Sequence, residues 1–493
     1  MFTGAYRLLL IAALFIGTHS PAQSPDLIEK SKRGKELMAE QKFQEAASLY
    51  RELVQAVPNN PGLLLNLGMA LHLAGHSREA IAPLKSALKL DADIPPAWLF
   101  IGASYLSAGD PEHALEPLEK YVRLQPDDPG GHQTFADALL ATNKFRDAIS
   151  EYKKLGELES NNPHAWYGLN RSYAALADAA FQAVEKGAPQ SAWWFALVAD
   201  ERVRRSQFQS AFFFYRKAEA VQPVLPGLDA SLAEVYEKTG HPDWAEAERR
   251  KDSTVNCQPS QDACDFLAGR YEEVIQRGGT SPEADYWQSR AFARLAQNAF
   301  EHLERLPESP EIHELRAEQL HARRQNLESA REWQKALTYA PNDERLREEL
   351  LSSLYRAKDP SALKLTDELL RGNPSSPELN LIKGDLLLTS QQAEKAIPYL
   401  ETALKFNPNL VPAHHALGRA YMQLGRQAAA IPHLQAALSM DEDGSLRYQL
   451  ARAYQATGQT ELAKKTLEDS AQRQKADREE KSKLQEEMEI TPP

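Results

Sequence analysis

A pattern of small and bulky residues recurring every 34 positions constrains this chain more than any other feature. Leu67-Gly68, Ala80 and Ala87 return 34 residues later as Ile101-Gly102, Ala114 and Tyr121, framed by Trp98, Tyr105 and Pro126. The same frame begins at Gly34, Ala46, Tyr50 and Pro58 and continues at Trp166 and Tyr173. It comes back as Gly384, Ala396, Ala403 and Pro408, then as Gly418, Tyr421, Gly425, Ala430 and Ala437, with a last copy at Tyr454, Gly458 and Ala463. A unit of this length has room for two helices and a turn. Small residues let the helices approach, large ones fill the gap, and Pro stops the second helix before the next unit starts. Such a hairpin cannot bury its apolar faces alone, so the units must stack.

This succession of Trp, Leu-Gly, Tyr, Ala, an aromatic, Ala and Pro resembles the tetratricopeptide repeat over nearly everything from residue 27 to about 470. The resemblance implies an all-α fold, a right-handed α-solenoid or superhelix of about a dozen helix-turn-helix repeats. It also implies a protein that binds other proteins.

The array is not uniform. A leader over 1–22 is followed by a regular array at 23–162, a degenerate central array at 163–342, a second regular array at 343–470 and a charged tail at 471–493. After Tyr173 the expected Gly turn is missing and helical spacing continues through Leu176 and Phe181 to Glu185, which predicts one long helix. A similar stretch follows Trp287, where Phe292, Leu295 and Phe300 match Tyr173, Leu176 and Phe181 at an offset of 119. Ala218 and Pro223 likewise correspond to Ala336 and Pro341 at an offset of 118. A larger unit, a long helix followed by a repeat, is therefore expected twice. Between the copies lie a repeat around Ala233, Tyr236, Gly240 and Ala245 and a degenerate one around Gly269 and Tyr271. In the charged stretch Lys464 to Glu489, the first part is expected to cap the last hairpin and the remainder to Pro493 to be disordered.

At the N-terminus, Arg7 precedes an apolar run from Leu8 to Gly17, and Ser20-Pro21-Ala22 supplies small residues for cleavage before Gln23. That is the form of a secretory signal peptide, and the run falls short of the ~20 apolar residues that span a bilayer. An exported protein, periplasmic or extracellular and without stable membrane insertion after cleavage, is expected; an uncleaved anchor is the alternative. The net charge of -12, with acids and bases interspersed, weighs against nucleic acid or an anionic membrane as the main partner. The only two cysteines, Cys257 and Cys264, would pair in an oxidising compartment. Within one helix they would lie about 10 Å apart, beyond disulfide reach. Pro259 between them lets the helix begin after Cys257 and brings the two within range.

No metalloprotease, nucleophile-elbow, phosphate-loop or dinucleotide signature occurs, so no catalytic residue, metal or cofactor is expected. In the repeat family the first helix of each hairpin lines the concave groove. Transferred onto the last two repeats, that frame places His415, Arg419, Met422, Gln423, Tyr448, Arg452 and Gln455 on the groove. Arg419 and Arg452 occupy equivalent positions, and paired guanidinium groups suit a carboxylate or an acidic peptide unless neighbouring acids such as Asp385 or Glu378 neutralise them. The family's Lys-Asn carboxylate clamp is missing: Ser31 and Lys35, then Leu65 and Met69, hold those places. Repeats two and three instead turn Leu65, Met69, Leu73, Leu99 and Leu106 inward, as an apolar groove for a helix or extended peptide unless closure of the superhelix buries them. Among the rings of Trp193-Trp194-Phe195 and Phe212 to Tyr215, Trp193 and Phe213 exceed what one hairpin core needs. They are either exposed at an interface or packed on the long helix. The expected function is a non-enzymatic protein–protein interaction scaffold of the cell envelope or secreted space. A small-molecule, glycan or cell-wall receptor is the alternative.

Overall fold

Each 34-residue unit becomes a helix hairpin whose start is written in the sequence. The structure, a computed structural model, describes residues 25–252 and 260–493, so the expected leader lies outside the described residues. The early hairpins are α1 (Pro25–Ala39) with α2 (Phe43–Ala56), α3 (Pro61–Leu73) with α4 (Ser77–Leu90), α5 (Pro95–Ser107) with α6 (Pro111–Leu124) and α7 (Pro129–Ala141) with α8 (Phe145–Leu158). Pro61, Pro95 and Pro129 each open a first helix, where a missing N–H costs nothing. Asn60 and Asp128 cap the free N–H groups of Leu63 and Gly131.

Side chains three residues after Pro95, Pro129 and Pro377 then tie those hairpins to the loops before them. Trp98 Nε1 donates to the carbonyl of Ala92 at 3.2 Å, His132 Nε2 to Pro126 at 2.9 Å, and Asn380 Nδ2 to Pro374 at 3.0 Å. An indole, an imidazole and an amide thus satisfy the same loop carbonyl, six residues upstream in each case. Inside the hairpins Gly68, Gly102, Gly384 and Gly418 meet the branched carbons of Leu84, Leu118, Leu400 and Leu434, so close that a Cβ would overlap them.

The turn between helices needs a residue with positive φ. Gly75, Gly109 and Asn143, 34 apart, supply it with φ of 86°, 79° and 59°. The next equivalent position is Ala177, and there the chain makes no turn: α9 (Pro163–Gly187) runs on for 25 residues. Past α14 (Gln261–Leu267) and α15 (Tyr271–Arg277) lies a second long helix, α16 (Pro282–Glu304), of 23 residues. α9 and α16 pack along each other, with Asn170 Nδ2 donating to the carbonyl of Ala296 at 2.8 Å and Ser289 Oγ to that of Ala177 at 2.9 Å.

That pairing shapes the first of two compact units, which joins residues 25–189 to Ser260–Ile312. The second unit contains residues 190–252 and His313–Pro493. It holds α10 (Ala192–Arg204), α11 (Phe208–Val221), α12 (Leu228–Lys238) and α13 (Pro242–Asp252). Its later hairpins include α19 (Glu344–Arg356) with α20 (Ser361–Gly372), α21 (Pro377–Thr389) with α22 (Ala393–Phe406), α23 (Val411–Gln423) with α24 (Gln427–Ala436) and α25 (Ser445–Ala456) with α26 (Thr460–Glu487). The expectation of a disordered end is corrected by α26, a continuous helix of 28 residues. Its charges fall in pairs four apart, Lys475–Glu479, Lys481–Asp477 and Lys483–Glu487, which support an exposed helix. Among the described residues there is no strand, and no helix is long and apolar enough to cross a membrane.

Candidate partner-binding surfaces

The N-terminal repeats do not present an apolar groove. Leu65, Met69 and Leu99 are 1%, 7% and 1% exposed, which corrects their assignment to a ligand-facing surface. First helices of successive hairpins touch one another, α3 with α5 and α5 with α7, and close over these side chains. His72 of α3 fastens the contact, its Nδ1 lying 3.0 Å from Ser104 Oγ and its ring edge-on to Phe100. Burial pushes the His72 imidazole down to about 4, so it sits there uncharged. Leu73 and Leu106, at the ends of the same helices, are half-buried.

The C-terminal repeats do present polar side chains on their first helices. Tyr355 of α19 donates its hydroxyl to Asp385 of α21 at 2.8 Å, and the other oxygen of Asp385 meets Arg419 of α23 at 3.2 Å. One hydrogen-bonded row therefore crosses three consecutive first helices, and Arg419 is neutralised by Asp385. His415 lies half-buried on the same helix; burial, followed by the nearby Arg419, depresses its basicity. On α25, Tyr448 is 46% exposed and Arg452 and Gln455 are exposed, and Arg452 makes no ion pair among the described residues. Met422 is half-buried against the core of the last hairpins, while Gln423 is exposed. The two equivalent arginines are thus unlike: one is held in a row, the other is free.

In the aromatic segment, Phe213 is buried with Lys217 Nζ 4.3 Å from its ring centre, and Trp193 is half-buried. The proposed Cys257–Cys264 pair falls partly outside the described residues, since Cys257 is not among them; Cys264 lies in α14.

Sequence reasoning missed a cleft of about 610 Å3 in the first unit, bounded by α8, α9, α15 and α16. Trp166 of α9 and His302 of α16 stack in its wall with ring centres 3.6 Å apart. Glu272 of α15 takes Lys153 at 2.9 Å and the Tyr173 hydroxyl at 3.1 Å, leaving Asn298, Glu301 and Arg305 along the rim. Tyr173 and the missing turn after it were legible, but the residues that meet Tyr173 and Trp166 come from more than 90 positions away. Elsewhere in the first unit His164 bridges Asp137 at 2.8 Å and Glu311 at 3.7 Å. Burial opposes its charge, yet the two carboxylates outweigh it and raise the imidazole to about 10. Asp137 also receives the Tyr152 hydroxyl at 2.7 Å, so this ion cluster is a fastening of α7, α8 and α9.

Sequence models of the tetratricopeptide repeat match residues 37–104, 95–128, 377–410, 411–443 and 444–477. No curated protein matches the chain. Among solved structures, a tetratricopeptide repeat protein from Parabacteroides merdae is similar at 14% identity, covering 67% of this chain and 100% of its own, with a TM-score of 0.33. MamA from Desulfovibrio magneticus is similar at 19% identity over 34% of this chain and 97% of its own, with a TM-score of 0.32. YrrB, described as a TPR protein with an unusual peptide-binding site, is similar at 15% identity over 40% of this chain and 87% of its own, with a TM-score of 0.28. From the repeat matches at both ends and the helix hairpins between them, the chain is a tetratricopeptide repeat protein.

Proposed function

We propose that this protein is a non-enzymatic interaction scaffold that holds a protein or peptide on the first helices of its C-terminal repeats. The observation that carries the reading is the row Tyr355–Asp385–Arg419 leading to the unpaired Arg452. The core leucines of α23 and α25, Leu417, Leu446 and Leu450, are buried, so what these first helices expose is mainly polar chemistry. A partner bringing a carboxylate to Arg452 gains a charge-assisted hydrogen bond without having to displace an acid such as the Asp385 that holds Arg419, and Tyr448 and Gln455 offer an aromatic face and an amide beside it. The leader-like residues 1–22 support the export of this protein, and with it a partner in the cell envelope or outside the cell.

Crosslinking with mass spectrometry in the native host tests this reading. Reproducible partners should be lost, with helicity intact, when Arg419→Glu and Arg452→Glu are combined. Capture that persists in the double variant at both low and high salt overturns the groove assignment. The cleft of the first unit favours the second reading, a glycan or small-molecule receptor, because a Trp face ringed by Asn, Glu and Arg suits a sugar. A saccharide-induced rise in Tm, abolished by Trp166→Ala, with no protein partner recovered, reverses the order.

A further inference from the structure

In the hairpins that begin with α5, α23 and α25, the tyrosine near the end of the first helix bonds a side chain of the preceding hairpin. Tyr105 takes the ammonium of Lys85, 20 residues upstream, at 2.7 Å; Tyr421 donates to Glu401, also 20 upstream, at 3.0 Å; Tyr454 takes Gln435, 19 upstream, at 2.7 Å. In α12 the same place is held by Tyr236, but Arg216, the corresponding upstream residue, pairs with Glu219 at 2.6 Å. The Tyr236 hydroxyl donates instead to the backbone carbonyl of Thr491 at 2.7 Å, across 255 residues of sequence.

Three further observations describe this contact. Tyr236 is 0% exposed, so its hydroxyl must find an acceptor, and Trp244 and Phe212 stand against its ring at 5.6 and 5.7 Å. α26 is hydrogen-bonded to the residues that lead into α25 through Ser470 Oγ, which donates to the carbonyl of Gly444 at 2.7 Å, and Arg473, which donates to that of Asp441 at 3.2 Å. Beyond Asp477 the side chains to Glu487 are exposed; Met488 and Ile490 are half-buried, and the chain then brings the carbonyl of Thr491 to Tyr236 of α12 while the side chains of Thr491 to Pro493 remain exposed. Finally, Thr491 precedes Pro492-Pro493. Proline holds the residue before it extended and has no N–H of its own, so the segment costs little entropy to order and presents carbonyl acceptors.

We propose that α12 and α13 form a docking surface for an extended, proline-containing segment, and that the chain's own Met488–Pro493 occupies it in cis as a strap. The match is one of chemistry: a buried phenol donor within an aromatic cluster meets a stiff segment rich in acceptors, the logic by which aromatic grooves take polyproline-type ligands. Any partner using this surface must first displace the strap, whose attachment through α26 gives it a high effective concentration. This surface is separate from the α23–α25 face, so its failure leaves that reading untouched.

Hydrogen exchange followed by mass spectrometry tests the strap on two variants, Tyr236→Phe and a chain ending at Glu487. Loss of one hydrogen bond should speed exchange of residues 475–487 about fivefold in Tyr236→Phe, and the shortened chain should exchange faster still. Peptides from α19 to α23 should be unchanged, which separates release of the strap from unfolding. Exchange at 475–487 equal to wild type in both variants overturns the proposal. So does protection of 475–487 that rises with protein concentration, because the segment would then be docking on a second copy.

Discussion

Adding one methyl group at Gly102 probes the packing rule on which the hairpins rest. A Cβ there would lie 2.3 Å from Cγ of Leu118 and 2.6 Å from its Cδ2. Carbon atoms pack at about 3.5–4.0 Å, so the overlap exceeds 1 Å. Leu118 is wholly buried and the clash falls on its branch point, so no rotamer change relieves it without moving α5 from α6. Overpacking of this kind costs about 3 kcal/mol, and the better helix propensity of Ala returns about 1 kcal/mol, leaving a net loss of about 2 kcal/mol. Because repeat arrays open locally, exchange is a better assay than one melting curve. Amides of residues 95–124 should exchange about 30-fold faster in Gly102→Ala, at about 1.4 kcal/mol per factor of ten. Combining it with Leu118→Ala should give strong non-additivity, since the removed side chain vacates the space the methyl needs. Gly372→Ala, which meets nothing within 4 Å, is the control and should be neutral or mildly stabilising. Wild-type exchange in Gly102→Ala, or simple additivity with Leu118→Ala, would refute the reasoning.

Two histidines should give opposite pH dependence. His72 is held at about 4 against 6.5 when unfolded, so the unfolded chain binds the extra proton; its contribution is complete above pH 6.5 and lost towards pH 4. At about 1.4 kcal/mol per pH unit the loss approaches about 3 kcal/mol, and His72→Gln should flatten it in α3 and α5 exchange. His164, raised to about 10, contributes below pH 6.5 and loses that contribution as pH rises towards 10; His164→Gln should remove this alkaline slope. If Cys257 and Cys264 pair, the unfolded protein should take no thiol label until reduced, and two labels without reductant would contradict the pairing.

Much of the fold was legible because its causes lie within about 34 residues. The Gly–Leu contacts, the prolines at helix starts and the loop carbonyl bonded by Trp98 or His132 are local, and they recur among the regular repeats. The missing turn at Ala177 was legible for the same reason. The groove residues were less so. Burial of Leu65, Met69 and Leu99 depends on how closely α3, α5 and α7 approach, and the neutralisation of Arg419 depends on an acid one repeat away. High charge by itself predicts a disordered tail, whereas the i,i+4 pairing of those charges supports α26.

By itself the sequence determined the repeat, its helix boundaries and its two long helices, since hairpin geometry follows from side chains a few turns apart. Only the tertiary structure decided what those helices meet. α16 lies on α9, Glu272 enters the place between Lys153 and Tyr173, and Thr491 reaches Tyr236, through contacts spanning about a hundred residues or more. Such contacts leave no period in the chain, because each occurs once and joins surfaces that stacking alone brings together.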